Sequence, residues 1–399
     1  MEKQFKEINL PAEYLSVIEK SPHTERQYLG QPDMVMLDDH QTLLTVYPVG
    51  HGFGPLVMQV SQDAGESWQE KEDIPETWAS SLETPTLYKL DLANGTTRLI
   101  LITGMPKWEK NTEGGWRTSI SDDLGKTWSE YTHFHRHLPN GEDNWSIVAM
   151  ASLIQLHDEQ GTPIDKWMGV YHDSNFVNYK SYLSFDENGQ ETWSEPTPYL
   201  AEYRAIESSH QICEVGLFRS PDQKKIIGLG RSQSHEHKSV FFYSRDEGQT
   251  WTEPAYLHDH LAGERHKAIY DPISGRLVVT FREISYQYDA SGQILKDQWQ
   301  AGNWLAWVGS YEALMNGEPG DYRIILAEDW TNSSKGGDTG YAGIVAHPSG
   351  QLIMNSYGHW DRAFSEAWTG PVTEDLAYII QAKFKLSDIE EQLGKEGKK

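Results

Sequence analysis

The chain has 399 residues, 38% of them hydrophobic and 12% aromatic, enough to bury a large core, and no stretch is biased enough in composition to remain unfolded. Its formal charge of −25 at pH 7 argues against nucleic acid and anionic membrane surfaces as partners, so an anionic substrate would have to be drawn in by a local basic pocket. One cysteine, Cys213, excludes internal disulfides, no stretch is apolar and long enough to span a bilayer, and the opening MEKQFKEINLPAEYLSV lacks the apolar core of a signal peptide; these features predict a cytoplasmic protein, secreted only if a leader precedes the sequence.

Taken in chain order, one unit recurs: an apolar strand, a polar turn, and a second apolar strand. It occurs as MVMLDDHQTLLTVY (34–47), PTLYKLDLANGTTRLILIT (85–103), ASLIQLHDEQGTPIDKWMGVY (151–171), EVGLFRSPDQKKIIGLGR (214–231), HKAIYDPISGRLVVTFR (ending at Arg282) and AGIVAHPSGQLIMNSYG (342–358). Turn residues between β-branched runs mark hairpins, so six hairpins count six modules. Later strands are expected at 303–311, 322–327 and 377–386. Residues 1–24 are expected at the closure or rim of the array, and SDIEEQLGKEGKK as a short helix and polar tail, within a single domain spanning 1–399.

A second repeat follows four of the hairpins. SQDAGESW (61–68), SDDLGKTW (121–128) and SRDEGQTW (244–251) are clear copies, and SFDENGQETW (184–193) carries two extra residues. The Asp can accept hydrogen bonds from backbone N–H groups of its own turn, the Gly permits positive φ, and the Trp can plug the turn onto an apolar layer. The pattern is similar to the Asp box of sialidase-like and other β-propellers, where it staples a turn on the outer part of a blade. The fold expected is all-β: a six-bladed β-propeller of four-stranded antiparallel blades with Asp-box turns.

In a propeller, ligands meet the starts of first strands and the ends of second strands. There the fourth hairpin opens with Glu214 and closes with Arg231, and GGDTGYAG puts Tyr341 at the opening of the sixth. With the Asp boxes, these positions make the chain, from about residue 30 to 385, resemble the bacterial and animal exo-sialidases. The resemblance implies a retaining glycosidase with Tyr341 as nucleophile, Glu214 as the base that deprotonates it, and arginines that hold a sugar carboxylate. A phenol is not repelled by an anionic sugar as a carboxylate nucleophile would be. Arg231 matches one family arginine; Arg282 ends the equivalent strand of the fifth hairpin, with Arg265 as its competitor. Each could instead form an ordinary salt bridge.

The sequence also departs from the family. Gly30-Gln31-Pro32 stands where sialidases have Arg-Ile-Pro, with Arg26 the nearest arginine, and the loop VGHGFGP (49–55) contains no carboxylate for the acid/base role. His51 is its only titratable group; alternatively His51 hydrogen-bonds a sugar hydroxyl, or Asp338, Glu83 or Glu207 supplies the acid. Gln31, Asp338, His235, His237, Glu207 and His210 complete the candidate substrate contacts, and Trp108, Trp116 and Trp145 are candidate sugar platforms or blade packing. His133, His135 and His137 have a spacing that could hold a metal, but the reading is of solvent-facing histidines, with no metal and no cofactor. A different sugar from sialic acid, such as another acidic one, on an oligosaccharide or glycoconjugate is the expected substrate. The alternatives are a catalytically silent glycan-binding propeller, or a hydrolase or lyase that uses His51 as acid/base.

Overall fold

The computed structural model describes residues 5–21, 28–52, 54–108, 111–331, 336–360 and 378–396. Arg26 lies outside them. Two short strands, β1 (Lys6–Asn9) and β2 (Leu15–Lys20), come first. Six antiparallel sheets follow in chain order, and the fold is a six-bladed β-propeller.

The first sheet holds β3 (Asp33–Met36), β4 (Leu43–Pro48), β5 (Leu56–Ser61) and β6 (Gln69–Glu70). The second holds β7 (Thr86–Asp91), β8 (Thr97–Gly104), β9 (Trp116–Ser121) and β10 (Thr132–Phe134). In the third, β11 (Ile147–His157), β12 (Pro163–His172) and β13 (Asn178–Phe185) are followed by β14 (Glu191–Trp193) and β15 (Thr197–Pro198), both paired with β13. After helix α1 (Arg204–His210) come β16 (Ile212–Arg219), β17 (Ile226–Ser232), β18 (Val240–Ser244) and β19 (Ala255–Tyr256).

The fifth sheet is β20 (Gly263–Tyr270), β21 (Leu277–Tyr288), β22 (Ile294–Gly309) and, after helix α2 (Tyr311–Met315), β23 (Tyr322–Ala327). Strand β1 joins its outer edge in parallel with β23. The sixth sheet is β24 (Ala342–Ala346), β25 (Gln351–Gly358) and β26 (Tyr378–Lys385), with β2 as its fourth strand. The chain then enters α3 (Leu386–Glu396), whose Ile389 and Leu393 are buried.

The six sequence hairpins are the first two strands of the six sheets. Second strands β4 and β17 are buried at every residue, which is why they read as near-continuous apolar runs. Outer strands such as β6 and β19 are exposed. The chain divides into two compact units, one of residues 1–45, 59–69 and 256–399 and one of 46–58 and 70–255, with the boundary running through the strands of the first sheet.

Three octets make one turn, each joining a third strand to a fourth. In the first, Ser67 donates from N (2.9 Å) and Oγ (2.5 Å) to Asp63, and Gly65 N donates to Ser61 Oγ (2.8 Å). Asp123 and Asp246 repeat the pattern with Thr127 and Thr250. Two successive left-handed residues make the reversal: Ala64-Gly65, Leu124-Gly125 and Glu247-Gly248. At SFDENGQETW the two extra residues change the turn. Asp186 accepts from Asn188 N and Gln190 N, while Ser184 Oγ meets Thr192 Oγ1 across the hairpin instead of closing on the Asp.

Candidate functional site

The openings of the fourth and fifth sheets share a device. One extra residue is inserted in β16 between Cys213 and Gly216, and one in β20 between Glu264 and Lys267, so that two residues oppose one on the partner strand. The first bulged residue is left-handed in both: Glu214 (φ 48°) and Arg265 (φ 63°). Such a bulge re-aims a side chain and is enriched beside functional sites. Directly before each bulge, Cys213 pairs with Arg231 and Glu264 with Arg282, which makes Arg231 and Arg282 equivalent positions. The sixth sheet has no such insertion; Gly340 (φ 108°) takes the left-handed conformation ahead of Tyr341.

In the first unit these residues form one polar cluster around Asp338. Tyr28 donates its hydroxyl to Asp338 Oδ2 (2.5 Å) and Tyr357 to Oδ1 (3.0 Å). Arg265 lies 3.5 Å and Arg282 3.7 Å from Oδ1. Arg265 also donates to Tyr357 Oη (2.6 Å) and the Thr339 carbonyl (2.5 Å), and its guanidinium stands 4.4 Å from the centre of the Tyr341 ring. Arg282 donates to the Gly337 carbonyl (3.0 Å) and to Glu264. Burial, and then the Asp338 carboxylate, push the Tyr28 phenol well above its ordinary range. Burial likewise raises Tyr357, outweighing the lowering by Arg265. Gln31 is buried and left-handed before β3, and Asp33 pairs with Lys267.

In the second unit, Arg231 donates to Glu214 Oε1 at 2.8 Å, with both side chains about nine-tenths buried. His172, at the end of β12, is buried; desolvation holds it down at about 4, with Glu214 raising and Arg231 lowering it. Glu83 lies just before β7 and is buried. Burial pushes it up to about 7 against hydrogen bonds from Thr84 and the Val148 N–H, and Glu214 adds to the rise. Glu83 packs against the glycine loop that carries His51: a Cβ added to Gly52 would lie 3.7 Å from Glu83 Oε1 and 3.3 Å from Trp108. His51 itself is half-buried, in a loop closed by Val49 N to the Pro55 carbonyl (2.8 Å) and Gly54 N to the Ser81 carbonyl (2.9 Å).

The remaining candidates separate. Glu207 is taken up by structure, accepting from Asn178 N (2.7 Å) and Nδ2 (2.9 Å) and from Arg204 (2.7 Å). His210 and His237 stack at 3.8 Å; burial lowers both, His210 to about 4. His235 is buried in the turn after Arg231. Trp116 is core, Trp108 is partly exposed, and Trp145 lines a polar cavity of about 450 Å³ with Asp143 and Asp173. His133, His135 and His137 turn to three different partners, the Gly114 carbonyl, the Trp193 carbonyl and Asp143. Among the described residues no group of three or more His, Cys, Asp or Glu side chains is arranged to hold a metal ion.

Sequence reasoning passed over Tyr28, His172, Glu264 and Tyr357. Three of these could have been found, because His172 and Tyr357 end second strands and Glu264 opens a first strand, the positions already singled out. Tyr28 lies in no strand and carried no signal.

Comparisons with known proteins agree with the fold. A sialidase of Paraclostridium sordellii is 23% identical over 277 residues, 62% of this chain, which spans 63% of that relative. An alpha-L-arabinanase of Penicillium chrysogenum complexed with arabinobiose superposes with a TM-score of 0.59 at 13% identity, covering 94% of this chain and 98% of its own. The intramolecular trans-sialidase of Ruminococcus gnavus gives 0.55 at 13% identity, covering 93% and 97%. At such identities the structures share the fold alone. The model of the BNR repeat-like domain matches residues 57–262, just over half of the chain, which therefore belongs to that family as a divergent, sialidase-like member.

Proposed function

We propose that the protein is an exo-acting glycoside hydrolase that releases a terminal sugar with retention of configuration, with Tyr341 as nucleophile. The observation that carries the reading is how the first unit treats its three clustered tyrosines. Tyr28 and Tyr357 give their hydroxyls to the Asp338 carboxylate and are held as neutral phenols. Tyr341 is half-buried and has the Arg265 guanidinium over its ring; a cation beside a phenol favours the negative charge that develops on its oxygen. Asp338, held by two tyrosines and two arginines, serves as an anchor for those groups and not as the proton donor.

Glu214, on the bulge of β16, is assigned the role of base by the sialidase resemblance alone. The leaving group's proton comes from His51 or from Glu83. A carboxyl near 7 is partly protonated at neutral pH and can both give and regain a proton, which favours Glu83. The sialidase relative and the arabinanase neighbour support glycosidic chemistry in general.

Tyr341→Phe should abolish release of sugar while the melting temperature and circular dichroism stay those of the parent. Glu214→Gln and the double variant should then be no worse than Tyr341→Phe, as expected of groups acting on one step. Parent-like turnover by Tyr341→Phe would sink the reading. A melting temperature raised by glycans that are never cleaved would establish the silent binding propeller instead.

A further inference from the structure

We infer that the sugar recognised carries no carboxylate: the substrate class is a neutral glycoside. This rests on the glycoside hydrolase reading above and concerns its specificity. Three arginines are the candidates to hold an anionic sugar, and each faces a carboxylate of its own unit. In the second unit Arg231 bonds Glu214 at 2.8 Å. In the first unit Arg282 pairs with Glu264 and lies 3.7 Å from Asp338, and Arg265 lies 3.5 Å from Asp338. Two cations meet two anions in one unit, and one meets one in the other.

The pairs are also enclosed. The arginine side chains are 8–9% exposed, and those of Glu264, Glu214 and Asp338 are 1%, 10% and 13% exposed. An incoming carboxylate would have to displace an internal one, leaving a buried charge without its partner, or join it as a second anion on the same cation. Both are strongly unfavourable where water is excluded. The neighbouring described residues do not offset this. Buried, uncharged Gln31 stands at the first-blade position, and Lys267, the next cation along β20, pairs with Asp33. The chain's net charge of −25 adds a field that repels anions. A phenol nucleophile accepts a neutral or an anionic sugar alike, so the arginine pairing is what discriminates.

The test is a panel of aryl glycosides, neutral pentosides and hexosides on one arm and an α-sialoside and a glucuronide on the other. The matching free sugars are followed in parallel by melting temperature. The expected result is a neutral glycoside cleaved with kcat/KM at least about tenfold above either carboxylated one, and a shift from a neutral sugar alone. Faster cleavage of the sialoside or glucuronide, or a larger shift from sialic or glucuronic acid, would overturn the inference and leave the hydrolase reading standing. A neutral sugar that shifts the melting temperature but is never released would do the reverse. No shift and no release from any member overturns both. Glu264→Gln, which removes one of the two anions facing Arg282, should lower the KM of the carboxylated substrates relative to the neutral one; an unchanged ratio in a folded variant counts against the inference, and if the variant does not fold, the parent panel decides.

Discussion

Replacing Glu83 with Gln isolates a single buried titration. In the folded chain its carboxyl sits at about 7 in place of the usual 4.5, chiefly through desolvation and secondarily through Glu214. A carboxyl whose folded value is raised binds more protons folded than unfolded between the two values, so its contribution falls as pH rises from about 4.5 and is fully lost above about 7. At ~1.36 kcal/mol per pH decade, the loss is roughly 3 kcal/mol by pH 8. Gln keeps the shape and can still accept from Thr84 N, the 2.8 Å bond to Oε1, but cannot ionise. Urea denaturation of parent and variant from pH 4.5 to 8.5 should therefore give similar stabilities at the acid end and a variant more stable by up to roughly 3 kcal/mol at the alkaline end. Glu191, also raised to about 7 by burial, titrates in the same window, and the parent-minus-variant difference cancels it. A difference that does not change with pH would refute the argument that Glu83 is held partly neutral. If Glu83 is also the proton donor, the alkaline limb of kcat/KM disappears in the same variant.

His172 should act in the opposite sense. Its folded value of about 4 lies below the ordinary 6.5, so stability is lost as pH falls from about 6.5 towards 4, by up to roughly 3 kcal/mol; His172→Gln should flatten that acid limb in the same denaturation series. Asp246→Ala removes an acceptor from Thr250 N, Thr250 Oγ and Ser244 Oγ and should cost about 1–3 kcal/mol with kcat unchanged, since the turn joins outer strands; a large fall in kcat at a temperature where the variant is folded contradicts this. Gly340→Ala forces a Cβ to 2.6 Å from Arg282 Cβ at φ 108°. A stability loss of more than about 1 kcal/mol in urea denaturation is the expected outcome, and a parent-like stability would contradict it.

How much of this was legible in the sequence depended on whether the signal was periodic. The six hairpins were, because a buried second strand reads as an apolar run that only a turn interrupts. The clear octets were as well, since their Ser, Asp and Gly each occupy a fixed place in one turn. SFDENGQETW showed the limit: composition was kept, but two inserted residues moved the Ser out of the Asp's reach. Residues 1–24, expected at the closure or rim of the array, supply β2 as the fourth strand of the sixth sheet and β1 as an added strand of the fifth. At the candidate site, Glu214, Arg231, Arg282 and Tyr341 were visible as positions. What they face was not. Whether an arginine meets Glu264, Glu214 or Asp338 is decided by bulges of one residue, and one extra residue in a strand leaves no mark on the hydrophobic pattern. Tyr28, which completes the Asp338 cluster, is brought there by tertiary packing alone.

The pairing of β2 with β26, Leu15 opposite Ala382 and Lys20 opposite Tyr378, ties together two segments that lie far apart in the chain. At ordinary synthesis rates of ~5–20 residues per second, β2 waits roughly 20–70 s for its partner. Through that interval LSVIEK is a nascent strand with an unsatisfied backbone, able to pair with a neighbouring chain, and the Glu19 and Lys20 charges at its end are the kind of gatekeepers that discourage this. The sixth sheet is therefore the last that can close, and its closure is a long-range, slow event. A chain re-connected so that residues 6–20 follow residue 396 would bring the two strands much closer in sequence, and should fold faster to the same sheet order.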